Sequence, residues 1–190
     1  MLNLVLFGPP GAGKGTQADF IIDKFKLIHI STGDMLRTQI AAKTVLGIEA
    51  KKYMDKGFLA PDSIVIGMIK SILQENKNAT GYIFDGFPRT VQQATALDEL
   101  LNENNTPVSG MLCLDVPTEE LIQRLLLRGK TSGRPDDQDV SIIENRIKIY
   151  HEKTEPLRDY YKSQQKYYKI EGTGSVQEIA KRLIDTITTL

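Results

Sequence analysis

The chain contains 190 residues, of which 41% are hydrophobic and 25% are charged, a composition typical of one globular domain rather than a disordered chain. Lys and Arg number 24, and so do Asp and Glu, so no net charge attracts the chain to nucleic acid. The single cysteine excludes an intrachain disulfide, and no apolar run approaches the roughly 20 residues of a membrane span. Because the N-terminus lacks the basic region of a secretory signal, we expect a cytoplasmic protein with neither nucleic-acid nor membrane partners.

Short apolar runs predict five strands: Leu2–Phe7, Leu27–Ile30, Tyr82–Phe84, Met111–Val116 and Tyr167–Ile170. Three of these runs are apolar at consecutive positions, as expected of strands that are covered on both faces. Longer helical patterns separate the runs and indicate βαβ units. We therefore predict an α/β fold in which a five-stranded parallel sheet is flanked by helices on both faces, with its site at the carboxyl ends of the strands.

Capping signals predict where several of the helices begin. Ser175 stands three residues before Glu178, a capping box that opens the apolar stripe of the last helix. Thr118 is predicted to cap one further helix, and Asp62, directly after Pro61, is predicted to cap another.

Two segments depart from the alternation of strands and helices. Residues 31–60 carry helical patterns without a strand between them, and residues 129–137 (GKTSGRPDD) are predicted to form a polar loop. Both are interpreted as excursions from the main sheet and as candidates for moving parts.

The strongest motif is GPPGAGKGT at residues 8–16, which contains the pattern G-x-x-x-x-G-K ending at Lys14. Glycines allow the backbone N–H groups to form a nest for phosphate oxygens at the start of a helix. Lys14 can reach the β- and γ-phosphates, and Thr16 offers a hydroxyl towards Mg²⁺. Gly15 separates the lysine from the threonine, which argues against the common GTPase form. A plain glycine-rich turn is the alternative, but the strand before the motif and the helix after it favour phosphate binding.

A second carboxylate completes the magnesium chemistry that a phosphate loop needs. Asp85 follows the predicted strand at residues 82–84, and its alternative interpretation is an ordinary Asp–Gly turn. Lone His29 and His151 are interpreted as structural, and Cys113 as a core thiol. No nucleophile is paired with a base in the sequence, so a covalent hydrolase is not supported.

Arginines are the expected partners of phosphates because the guanidinium fork matches two phosphate oxygens. The candidates are Arg37, Arg89, Arg124, Arg128, Arg134 and Arg146. Each could be a solvated surface residue, but they stand at the ends of motifs and around the two excursions.

With these motifs, the sequence resembles the adenylate kinase family over essentially the whole length of the chain. The resemblance rests on the blocks GPPGAGKGT (8–16), STGDMLR (31–37), GFLAPD (57–62), DGFPRTVQQ (85–93), QRLLLRG (123–129), SGRPDD (132–137) and KTEP (153–156). It implies reversible Mg-dependent transfer, ATP + AMP = 2 ADP, which maintains the balance of adenine nucleotides. We expect a monomer, because both excursions must be free to swing. It also implies one P-loop kinase domain over 1–190, with a core (1–30, 61–126 and 138–190), an AMP-binding segment (31–60) and a short lid (127–137). Since the lid lacks cysteine, no structural zinc is expected.

The family's site residues carry over by position. Those implied for ATP are Gly11, Ala12, Gly13, Lys14, Gly15, Thr16, Arg124, Arg128 and Gly174. Those implied for AMP are Thr32, Arg37, Phe58, Leu59, Ala60, Gly86, Phe87, Pro88, Arg89, Gln93, Arg134 and Arg146. The resemblance gives catalytic roles to Lys14, Asp85, Arg89, Arg128, Arg134 and Arg146. Mg²⁺ is expected to arrive with ATP, and Thr16 and Asp85 are candidates to hold it through water.

Base choice separates the expected reaction from its alternatives. The related UMP/CMP kinases tend to carry Ala and Asn at the positions of Thr32 and Gln93, so this sequence favours AMP. Gln93 could offer its amide to the adenine edge, or it could belong to a capping box with Thr90, and both interpretations can hold. A P-loop nucleotide switch of the GTPase type would need N-K-x-D, whereas NKNA at 76–79 lacks the Asp.

Overall fold

The computed structural model describes residues 1–190 apart from the side chain of Pro135. The described residues form one parallel sheet of five strands in the order β2-β3-β1-β4-β5. The strands are β1 (Leu2–Phe7), β2 (Ile28–Ser31), β3 (Gly81–Asp85), β4 (Gly110–Asp115) and β5 (Tyr167–Glu171). All the predicted strands are confirmed to within one residue at each end, and so is the α/β fold.

Helices connect the strands in the order expected of βαβ units. They are α1 (Lys14–Phe25), α2 (Thr32–Ala41), α3 (Val45–Met54), α4 (Asp62–Glu75), α5 (Val91–Asn102), α6 (Thr118–Ser132), α7 (Val140–Ile149), α8 (Leu157–Ser163) and α9 (Val176–Ile187). A 3-10 turn at Pro135–Asp137 joins α6 to α7, and a π-helical turn at Tyr150–Thr154 follows α7. Among the residues described, no helix is long and apolar enough to cross a membrane.

The central strand β1 is buried on both faces, which explains its unbroken apolar run. Val5 and Phe7 belong to a cluster that includes side chains of α4, α5 and α8. Leu4 and Leu6 point to the opposite face, where α1 and α9 supply the partners. Burial of each such aliphatic side chain contributes roughly 2 kcal/mol of transfer free energy, so the two layers hold β1 firmly in place.

The capping box at the start of α9 is confirmed. The Ser175 hydroxyl accepts a hydrogen bond from the Glu178 backbone N–H, and the Glu178 carboxylate accepts one from the Ser175 backbone N–H. The predicted caps at Asp62 and Thr118 are wrong, because each residue is the first helical residue and a proline precedes it at the cap position. Proline already has the φ that a helix entry needs, so the side chain that follows is released for other contacts.

The prediction of a loop over 129–137 is wrong for residues 129–132, because α6 continues to Ser132. The hydroxyls of Thr131 and Ser132 donate to carbonyls one turn earlier, and Gly133 then ends the helix with a φ of 66°. A side chain at Gly129 would place its Cβ 2.3 Å from the Asp137 carbonyl oxygen. Glycine at that position therefore lets the 3-10 turn fold back against α6.

Candidate active site

A cleft of about 840 Å³ lies at the carboxyl edge of the sheet. All the residues that the sequence predicted for the site line it: Gly11–Thr16, Thr32, Arg37, Phe58–Ala60, Asp85, Gly86–Arg89, Gln93, Arg124, Arg128, Arg134, Arg146 and Gly174. The structure thus gathers both predicted sets in one cleft, while the ligand assigned to each residue stays a prediction.

The phosphate loop joins β1 to α1 at one side of this cleft. Gly11 and Gly13 have φ values of 84° and 90°, a backbone region that favours glycine, and Gly13 occupies the cap position of α1. The Lys14 ammonium donates hydrogen bonds to the carbonyl oxygens of Gly8 at 2.9 Å and Pro9 at 3.0 Å. The loop therefore presents a helix N-terminus and a lysine ammonium to the same space, which favours an anion there.

Asp85 ends β3 beside the phosphate loop, because Leu6 of β1 is its partner in the sheet register. Burial alone would raise the pKa of Asp85, but the contact with His29 and the positive charges of Lys14 and Arg89 outweigh it and lower that pKa. The Oδ2 atom of Asp85 lies 3.8 Å from His29 Nε2. Asp85 is therefore a carboxylate at neutral pH, fixed next to the start of α1.

Mg²⁺ suits these oxygen donors. A Cβ added at Gly15 would lie 3.9 Å from Asp85 Oδ2, so the carboxylate stands directly over the turn that carries Thr16. One carboxylate and one hydroxyl match a hard cation that keeps several waters and takes its other ligands from phosphates. In the described part of the chain, no three His, Cys, Asp or Glu side chains gather into a site that could hold a metal by themselves.

Arg89 is a lining residue of the cleft that is fixed at both its side chain and its backbone. Its Nε donates to the Gly86 carbonyl at 2.8 Å, and its own carbonyl accepts from the Thr154 hydroxyl at 2.9 Å. Burial, reinforced by the nearby positive charge of Arg146, lowers the pKa of Arg89 to about 10. The guanidinium stays charged at neutral pH in a site that favours a facing anion.

Gln93 is buried at the first turn of α5. Its position bears on both predicted roles, a contact with the base and a capping box with Thr90. The Thr90 hydroxyl accepts from the Gln93 backbone N–H at 3.1 Å, as a helix cap should. The reciprocal bond of a capping box is displaced by one residue, since Gln93 Oε1 accepts from the backbone N–H of Arg89 at 2.7 Å. The predicted capping box is thus only half formed, and Gln93 lines the cleft.

Carboxylates hold the arginines at the end of α6, in the turn after it and in α7. Arg128 binds Asp137 through Nε at 2.6 Å and Nη2 at 3.0 Å, and Arg146 donates to the same carboxylate at 2.5 Å. Asp137 is fully buried; burial alone would raise its pKa, but bonding to Arg128 and the charge of Arg146 lower it overall. Arg134 contacts Asp34 at 3.3 Å, and Asp34 also accepts from Arg37 at 2.5 Å.

Sequence reasoning gave no role to these carboxylates, although Asp34, Asp136 and Asp137 lie inside the matched blocks. Acidic residues directly beside the expected phosphate-binding arginines were the available signal. His29 and His151 were interpreted as lone structural residues, but each lies near a carboxylate. His151 lies 2.7 Å from Glu155 one helical turn later, and the neighbour of His29 comes from the adjacent strand.

A loop before α9 closes the other end of the cleft. Arg124 bridges Glu120 at 2.5 Å and the Gly172 carbonyl at 3.1 Å. Gln17 of α1 donates to the Val176 carbonyl at 3.0 Å. The helix that follows the phosphate loop is thereby tied to the loop that contains Gly174, where the resemblance expects the adenine of ATP.

The pKa of Lys14 predicts the pH dependence of catalysis. Burial lowers this pKa to about 8, the Asp85 carboxylate opposes the shift, and the neighbouring arginines add to it. The ammonium of the free protein is therefore lost as the pH rises through about 8, and kcat/KM for Mg-ATP should fall about tenfold per pH unit above it. Steady-state rates from pH 6.5 to 10 measure this. Lys14→Arg is the control, because a guanidinium keeps its charge, and an equally steep decline in that variant would contradict the assignment to Lys14.

Lys14 and six arginines line this one cleft, which is enough positive charge for the phosphates of two nucleotides. Together with the phosphate loop, they identify the protein as a P-loop kinase that phosphorylates nucleotides. Comparison with known proteins specifies the family. The family model described as adenylate kinase matches residues 6–166, and the chain belongs to that family. It is a nucleoside monophosphate kinase, a phosphotransferase.

Bacterial relatives extend the similarity to the whole chain. A protein of Flavobacterium psychrophilum named adenylate kinase is 51% identical over the full length of both chains. A second, from Parabacteroides distasonis, is 51% identical over 98% of each chain, and a third, from Phocaeicola vulgatus, is 48% identical over the full length of both. Both bear the same name.

Proposed function

We propose that this protein transfers the γ-phosphoryl group of Mg-ATP directly and reversibly to AMP, giving two ADP. The observation that carries the proposal is the single cleft in which the phosphate loop, Asp85 and the arginines of two helical excursions converge. Membership of the adenylate kinase family supports the reaction, and the relatives' names agree with it.

ATP would bind with its phosphates on the backbone N–H groups of residues 11–16 and on Lys14. Its adenine would lie between Arg124 and the loop at Gly174, both of which line the cleft. Mg²⁺ bound together with ATP would neutralise negative charge on the β- and γ-phosphates. Thr16 and Asp85 would hold it through water.

AMP would bind on the other side, with its phosphate on Arg37 and Arg89 and its base near Thr32 and Gln93. Thr32 donates to the Gly86 carbonyl at 2.8 Å, so the AMP-binding segment is already joined to the loop that carries Arg89. Phe58, Leu59 and Ala60 complete this side, and Phe58 remains 46% exposed at its edge.

The transfer would need no covalent intermediate. The AMP phosphate is itself an adequate nucleophile, so the residues have only to align the two nucleotides and to stabilise charge on the transferred group. Closure of residues 127–137 would bring Arg128 and Arg134 onto the phosphates, together with Arg146, and would exclude water that could otherwise hydrolyse ATP.

We also propose that the protein acts as a monomer in the cytoplasm, with residues 31–60 and 127–137 moving on the core. Both segments have to swing freely, which favours a single copy. The one cysteine, Cys113, is buried, which is compatible with a reducing compartment.

The decisive experiment is a coupled assay of ADP formation from Mg-ATP, with AMP, CMP, UMP and GMP offered separately. We expect a strong preference for AMP. Preference for CMP or UMP would keep the phosphate chemistry and overturn the base assignment. Loss of ATP without any monophosphate would instead indicate a nucleotide switch.

A further inference from the structure

The Gln93 side-chain amide is held at both ends. Its Oε1 accepts from the Arg89 backbone N–H at 2.7 Å, and its Nε2 donates to Asp62 Oδ1 at 2.7 Å. The other oxygen of Asp62 accepts from the Thr90 hydroxyl at 2.9 Å. Gln93 is only 2% exposed and lines the cleft, so a fixed amide stands at the edge of the proposed AMP site.

These two partners allow only one orientation of the amide. A carboxylate can only accept hydrogen bonds, and a backbone N–H can only donate. Rotation of the amide by half a turn would set Oε1 against the Asp62 carboxylate and the NH₂ group against the Arg89 N–H. Both hydrogen bonds would be lost. Two acceptors would then face each other at Asp62, and two donors at Arg89, around a buried side chain.

The fixed orientation leaves a defined pattern for a ligand. Nε2 has a second hydrogen to donate, and Oε1 has a second lone pair to accept with. A base that offers a ring nitrogen acceptor beside an exocyclic amine matches this pattern, and adenine and cytosine both do so. Guanine and uracil offer a ring N–H beside a carbonyl, which matches only the rotated amide.

We propose that Asp62 is a positioning residue that fixes the Gln93 amide and so makes the monophosphate site reject guanine and uracil nucleotides. Selectivity then comes from unfavourable contacts with the hydrogen-bonding edge of guanine or uracil as much as from favourable contacts with that of adenine. The inference rests on the proposed AMP site. Asp62 is not expected to touch the nucleotide, because its carboxylate is occupied by Gln93 and Thr90.

The test compares kcat/KM for AMP and for GMP at saturating Mg-ATP. In Asp62→Ala the amide loses one of its two fixing partners, and only the Arg89 N–H still opposes its rotation. The AMP-to-GMP ratio should fall about tenfold or more, with KM for ATP and kcat with AMP nearly unchanged. Asp62→Asn is the conservative rescue, since its Oδ1 can still accept from Nε2, and the ratio should stay within about threefold of the parent. A parent-like ratio in Asp62→Ala, or an equal fall in Asp62→Asn, would overturn the proposal.

Further variants separate this proposal from the site on which it rests. Asp62→Ser serves if Asp62→Ala does not fold, because a hydroxyl accepts or donates equally and should also lower the ratio. Glu119→Ala removes a first-turn carboxylate from α6, away from the cleft, and should leave the ratio unchanged. If Gln93→Ala lowers the ratio and the Asp62 variants do not, the AMP site stands and the role of Asp62 fails. If Gln93→Ala also leaves the ratio unchanged, the assignment of the base site itself fails.

Discussion

Lys14→Ala should lower kcat/KM for Mg-ATP by about 100- to 1000-fold, the loss typical of removing one preorganised charge from a phosphoryl-transfer site. The free energy of unfolding should stay unchanged or increase. Burial lowers the pKa of Lys14 to about 8 from its usual 10.5, so the folded protein holds this ammonium less favourably than the unfolded chain does. Removing it removes that penalty, while the lost hydrogen bonds to Gly8 and Pro9 act in the opposite direction.

Steady-state kinetics and urea unfolding measure the two quantities on the same preparation. Lys24→Ala is the matched control, because Lys24 is an exposed lysine in the last turn of the same helix. That variant should retain parental kinetics. Normal kcat/KM in Lys14→Ala would show that the phosphate loop does not act through this residue.

Arg89→Ala should lower kcat/KM for AMP by about 1000-fold and change KM for ATP much less. Its effect on stability should be small for a structural reason. The bonds from the Arg89 N–H to Gln93 and from Thr154 to the Arg89 carbonyl belong to the main chain and survive the substitution. Only the bond from Nε to the Gly86 carbonyl is lost with the side chain.

Initial rates with AMP varied at saturating ATP, together with a thermal melt, provide the measurement. Arg182→Ala is the control, since Arg182 also donates to backbone carbonyls, at Glu171 and Thr173, but outside the cleft. A loss of stability that accounts for the loss of activity in Arg89→Ala would remove the case for a catalytic role.

The sequence was informative wherever one local rule determined the structure. Unbroken apolar runs located the strands because the sheet is covered on both faces, and the glycine pattern located the phosphate loop because few other residues can adopt its backbone. Helix starts were less predictable. The prolines before Asp62 and Thr118 set the backbone themselves, so side chains that resemble caps are not used as caps.

Contacts between distant segments could not be predicted in this way. Asp62 and Gln93 are 31 residues apart, and Asp34 and Arg134 are 100 apart, so neither pair leaves a local pattern. The cations of the cleft were identified from motifs, but their partners were not, because pairing depends on how the two excursions pack. The end of α6 was missed for a similar reason: Gly129 permits close packing against a turn eight residues later.

The carboxylates beside the arginines change how the arrival of a substrate should be understood. Asp137 is paired with both Arg128 and Arg146, and Asp34 with both Arg37 and Arg134, so each carboxylate offsets part of the charge of two guanidinium groups. A phosphate that approaches these guanidinium groups has to take the place of an internal counter-ion. If these arginines bind phosphate as proposed, substrate capture is an anion exchange, in which the protein's own carboxylates hold mutually repelling cations together until a nucleotide replaces them.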